Sequence, residues 1–209
     1  MAHVKLALSV VFALVFGVVV ASIAATSQNK SGAGRKSFTS PNGDFQFQYP
    51  AFLVDCKAQR DNESCGAYMP VCSGLNYDSL ICIAYPKDRI SEPKTFDGAA
   101  FVVALEKDAH DEKACHAIPD PPPPDSSHPH TRTINGVEFW VIQTGGAASS
   151  HGENQMVYRA FHNNVCYELD INTSGVNPMV YDPPRPKMYD QRPVNKALEQ
   201  TLESFKFLK

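Results

Sequence analysis

The stretch from Gln155 to Thr173 constrains the fold more than any other part of the chain. Two runs rich in β-branched and aromatic residues flank Asn163-Asn164, and asparagine accepts the positive φ angles that a tight hairpin turn requires. In the second run Val165, Tyr167, Leu169 and Ile171 fall on one face, with Cys166, Glu168 and Asp170 on the other. The first run alternates less cleanly, Met156, Tyr158 and Ala160 opposing Val157, Arg159 and Phe161. That is the pattern of a strand covered on both sides, so the hairpin is expected at the centre of a sheet.

Other elements are read outward from it. Phe45, Phe47 and Tyr49 alternate with Gln46 and Gln48, which predicts a half-buried strand. Its hairpin partner is Ser37–Thr39 across the Asn42-Gly43 turn. After Pro50 the chain resumes as Phe52-Leu53-Val54. Ala67–Val71 is expected as a short edge strand, and the apolar run from Leu80 to Tyr85 as a buried one. Between Thr95 and His110, Phe96, Ala99, Ala100, Val103 and Ala104 recur at spacings of three and four, which predicts an amphipathic helix. Val137–Thr144, with the single tryptophan Trp140, reads as a strand, and Gly145–Gly152 as a loose loop. Proline-rich surface loops are expected at about 119–130 and 177–186. A closing helix from about Pro193 to Phe205, capped by Asp190, turns Val194, Leu198, Leu202 and Phe205 to the core.

The N-terminus reads as a secretory signal over residues 1–24. His3 and Lys5 precede the apolar run Leu6–Val20, and Ser22-Ile23-Ala24 supplies small residues for cleavage. The same run is long enough to stay as a membrane anchor. Residues 25–36 form a polar leader, and 37–209 a single domain. Six cysteines follow the signal and none falls in a Cys-x-x-Cys pair, so in an exported chain they read as disulfides. Cys115 and Cys166 stand apart and pair by elimination. Among the four crowded cysteines three pairings are open, and the nested one, Cys56–Cys82 around Cys65–Cys72, suits antiparallel strands passing those two outer positions. The expected location is secreted or periplasmic.

A net charge of −3 with no run of Lys and Arg excludes the basic stripe of a nucleic-acid binder. For metal chemistry the best candidates are His128 and His130, with His110 and His116 upstream and Asp120 or Asp125 as oxygen ligands. Against this stands the plain reading of a polar loop that contains histidines. Ser149, Ser150 and His151 adjoin, yet there is no Gly-x-Ser-x-Gly elbow to present a serine nucleophile. Glu168 and Asp170 are candidate carboxylates, or a polar strand face meeting Arg159 across the ladder. Asn29, Asn62 and Asn172 match glycosylation acceptors.

The order of Asn42-Gly-Asp-Phe-Gln-Phe-Gln-Tyr-Pro50, Ile134-Asn-Gly-Val-Glu-Phe-Trp-Val141, the central hairpin and Leu202-Glu-Ser-Phe-Lys-Phe207 resembles that of PsbP-like proteins. The resemblance spans Phe38–Phe207 and also takes in exported bacterial proteins of that shape with no assigned activity. It implies an α+β fold, an antiparallel β-sheet with helices packed on both faces as an α/β/α sandwich. It further implies action through surfaces, with no catalytic residue carried over. The function expected is an exported, disulfide-stabilised, non-catalytic binding or accessory module. Its partner is an unknown protein or small ligand, with no cofactor, no nucleic acid and no membrane after cleavage. The alternative is a metal-binding protein or hydrolase centred on the His-rich loop 110–130.

Overall fold

The computed structural model describes residues 34–57, 64–65, 72, 79–117 and 127–209. The expected signal and most of the leader, the strand at Ala67–Val71, and Asp120 and Asp125 lie outside them. The strands are β1 (Arg35–Thr39), β2 (Phe45–Pro50), β3 (Val54–Asp55), β4 (Ser79–Ala84), β5 (Phe96–Glu106), β6 (His130–Ile134), β7 (Val137–Ala148), β8 (His151–His162), β9 (Val165–Val176) and β10 (Lys206–Phe207). Two helices accompany them, the single turn α1 (Glu112–Cys115) and α2 (Gln191–Leu202).

The strands form two antiparallel sheets, one of three strands ordered β1-β2-β10 and one of seven ordered β3-β4-β5-β9-β8-β7-β6. β9 is the middle strand, and the Asn163-Asn164 turn joins it to β8 with φ of 51° and 60°. Arg35 and Lys36, expected in the leader, already belong to β1.

The expectation of helices on both faces is overturned. The molecule is mostly β-sheet, and α2 is the only helix longer than one turn among the described residues. Thr95–His110, expected as a helix, contains the eleven-residue strand β5. β5 lies between β4 and β9 and is buried on both faces through Ala104, so its side chains show no alternation of apolar and polar. A continuous apolar run satisfies helical and strand spacing equally, and here tertiary placement decides. Gly145–Gly152 is likewise no loose loop. β7 and β8 pair out to Ala148 and His151 across Ser149 and Ser150, which take φ of 49° and 73°.

The two faces of the large sheet differ in chemistry. On the inner face Ile81, Ile83, Phe101, Val103, Phe139, Val141, Leu169 and Ile171 are buried. They join one core with Val194, Ala197, Leu198 and Leu202 of α2 and with Phe45, Phe47 and Tyr49 of β2. The rings of Phe45 and Phe205 stack at 5.2 Å, and Phe47 meets Phe101 edge-on at 5.2 Å. The Asp190 carboxylate accepts from the Arg192 amide and caps α2, satisfying a donor that the first helical turn leaves unpaired. The outer face carries the polar side of the central hairpin and all three disulfides.

Candidate functional site: a buried polar row under three disulfides

Cross-strand register places the row. In β9 the alternate residues Cys166, Glu168, Asp170 and Asn172 share the outer face. Opposite them on β8 stand Phe161, Arg159, Val157 and Gln155, and on β5 Glu106, Ala104, Val102 and Ala100. The small side chains of β5 leave this face shallow beside the row. Alternation alone would make it a solvent face, yet Glu168 and Asp170 are wholly buried and Asn172 nearly so.

Arg159 holds one end. Its Nε donates to Glu168 Oε2 at 2.7 Å and its Nη1 to the carbonyl of Ala117 at 2.9 Å. Among the described residues Glu168 Oε1 and both oxygens of Asp170 have no well-formed hydrogen bond, although the Gln155 and Glu168 side chains lie near enough to act on Asp170. Two adjacent buried carboxyls without a donor between them call for a proton, because a carboxylate can only accept. Burial, followed by the neighbouring Glu168 carboxylate, pushes the Asp170 pKa well above the usual range. Glu168 is also raised, by burial, against the opposing pull of Arg159. The row sets the Arg159 guanidinium against Glu168, with the Asp170 carboxyl beside them in a place where burial favours its protonated form.

Beyond Asn172 the row continues to Ser174, whose hydroxyl lies 3.4 Å from Asp97 Oδ2. His151 Nδ1 is 2.6 Å from the same oxygen. The aspartate therefore sits between serine and histidine, so His151 is not placed to take the Ser174 proton as a general base. Ser149 and Ser150 occupy the β7–β8 turn. Asn172, 1 % exposed, is closed to glycosylation. His128 and His130 are both exposed, and His130 lies in β6 opposite Val141. His116 stacks on Trp140 at 6.0 Å. Among the described residues these histidines share no ligand cluster with a carboxylate.

The disulfides fasten the outer face. Cys115, capped onto α1 through Asp111, is bonded to Cys166 of β9, both fully buried. At the β4 side the nested pairing is corrected: Cys56 is bonded to Cys65, and Cys72 to Cys82. The two strands do run side by side as expected, and the Cys56 amide donates to the Cys82 carbonyl at 3.0 Å. Each bridge instead closes a short loop of its own, with sequence separations of 9 and 10. The bridges remain in contact, since the sulfurs of Cys56, Cys72 and Cys82 lie within 4.8 Å of one another. All four cysteines line a cleft of about 280 Å³ with Lys57, Ser79 and Ile81. Sequence spacing carried no signal for this cleft, because two pairings of four crowded cysteines differ only by which sulfurs finally meet.

No protein-family model matches the chain. No curated protein matches it in sequence. Among solved structures it is similar to a protein of Bacteroides thetaiotaomicron VPI-5482, at 11 % identity and a TM-score of 0.43 over 83 % of this chain. That match covers 48 % of the other protein, so this chain spans about half its length. A second is LpqN, involved in cell envelope biogenesis of Mycobacterium tuberculosis, at 9 % identity and a TM-score of 0.44, covering 83 % of this chain and 90 % of that one. Both are partial likenesses, and neither bears the PsbP-like label that the sequence order suggested.

Proposed function

We propose that the protein is an exported, disulfide-stabilised binding or accessory module without catalytic chemistry of its own, and that its outer face makes the contact. The observation that carries this reading is the Arg159–Glu168–Asp170 row, buried at the middle of the sheet with three carboxyl oxygens that have no well-formed hydrogen bond among the described residues. Buried ionisable groups rarely stabilise a fold better than apolar side chains of the same volume, so their retention beneath the outer face supports a role in shaping that face for a contact rather than in packing alone. The disulfides support folding in an oxidising, extracytoplasmic compartment, since such bonds do not persist where thiols are kept reduced. The covalent fastening of this face at both ends supports a contact surface held in one shape.

The test is site-specific photo-crosslinking in the extracytoplasmic fraction of the source. A photoreactive residue replaces Trp140 or Glu153 of the outer face, or Lys196 on the exposed side of α2 as control. The expected result is one discrete adduct from the outer-face positions and none from position 196. Equal labelling from all three positions, or turnover of ester or peptide substrates by the purified protein, would overturn the reading.

A further inference from the structure

The cleft at the β4 edge is a second site, independent of the polar row. Two disulfides commonly stand apart, but here three sulfurs drawn from two different bridges converge within 4.8 Å. The fourth, of Cys65, is bonded directly to Cys56. A tetrahedral tetrathiolate centre with metal–sulfur bonds of about 2.3 Å has sulfur–sulfur edges of about 3.8 Å. The present arrangement brackets that spacing, bonded pairs lying closer and the unbonded pairs of the trio no farther than 4.8 Å. Reduction lets both bonded pairs part, and Cys65, which lies outside the trio, must swing toward it to complete a set of four sulfurs.

We infer that Cys56, Cys65, Cys72 and Cys82, once reduced, form a tetrathiolate site for a soft divalent cation of the zinc type. The chemistry balances with a dithiol as reductant. Each bridge takes two electrons and two protons from one dithiol, giving two protein thiols and one oxidised dithiol. The cation then displaces four protons and binds four thiolates, leaving a centre of net charge −2. The ammonium of Lys57, whose Nζ donates to the Leu80 carbonyl at 3.3 Å, stands on the wall of the cleft and offsets part of that charge. Ser79 supplies a hydroxyl to the same wall.

Exposure makes the reduction selective. Cys65 and Cys72 are partly open to solvent, whereas Cys115 and Cys166 are 0 % exposed. A thiol reductant must reach a sulfur in line with the bond it breaks, so the two cleft bridges open before the third. The Cys115–Cys166 bond and the large sheet then keep the domain folded around the four thiols.

The experiment is cobalt titration of the full protein, treated with a dithiol under anaerobic conditions and then freed of reductant. Alkylation mapping first verifies four free thiols with the Cys115–Cys166 peptide still bridged. The expected result is one equivalent of Co2+ bound with thiolate charge-transfer absorption and the intense visible bands of a tetrahedral centre, both abolished by one equivalent of Zn2+. Cys72→Ser is expected to lose the tetrathiolate spectrum and to release three protons in place of four. Reduced protein that keeps its far-ultraviolet dichroism yet shows only the weak bands of aqueous Co2+ overturns the proposal. If reduction unfolds the chain, Co2+ is expected to restore both the dichroism and the thiolate bands, and its failure to do so overturns the proposal equally.

Discussion

Burial, followed by the neighbouring Glu168 carboxylate, opposes ionisation of Asp170, and the pH dependence of stability follows. Its folded pKa lies above the unfolded value of about 3.9, so from that pH upward the native state holds a proton that the unfolded chain has released. The stability tied to that proton is complete below about pH 4 and is lost as pH rises through the folded pKa. Asp170→Asn keeps a donor toward Glu168 at every pH. Its denaturation midpoint is therefore expected to fall less steeply above about pH 4 than that of the parent, leaving a residual slope from Glu168, which is raised in the same direction. Urea unfolding of both proteins across that range checks it, and parallel curves would mean that Asp170 ionises freely. The sequence placed Glu168 and Asp170 on one face and Arg159 across the ladder from them. It could not show that the face is covered, because alternation reports which side chains are polar and says nothing about what packs over them.

At the scale of elements, helix α2 is the clearest case of a legible signal. Val194, Leu198 and Leu202 recur with helical spacing, Asp190 caps the start, and all three apolar residues are wholly buried against the inner face. Leu198→Ala is expected to cost roughly 2–5 kcal/mol in urea or thermal unfolding, the usual range for emptying a packed leucine site. A loss below about half a kcal/mol would mean the helix contributes little packing to the sheet. β5 shows the opposite situation. Its Gly-Ala-Ala-Phe-Val-Val-Ala-Leu run has no polar punctuation, and only its position between β4 and β9 explains why. The β7–β8 extension failed to register for a different reason: Gly145 and Gly146 are poor strand formers individually, and their pairing with β8, itself held by long-range pairing with β9, carries them.

Over the whole molecule the three disulfides divide their effects by loop length. Cys115–Cys166 closes a separation of 51 residues, against 9 and 10 for the other two, so it restricts the unfolded chain most. Replacing both Cys115 and Cys166 by alanine is expected to lower unfolding stability by roughly 2–4 kcal/mol, more than the loss of either cleft bridge. Calorimetry of the three paired variants gives the ranking, and a larger loss from a short loop would place the effect in native packing. One last property follows from the sheet borders. β3 and β10 are two residues long and β6 five, so most of the edge is too short to template another chain. β7, twelve residues long, pairs with β6 only from Val137 to Val141, and Ser127 meets it at Gln143. Beyond that point its outer side, among the described residues, runs through Gly145 and Gly146, which carry no side chain to bury against a neighbour. Among the described residues the glycine pair thus leaves little side chain on this border for another strand to pack against, and Gly146→Val is expected to raise the rate of aggregation followed by light scattering, an unchanged rate meaning that the border is not exposed.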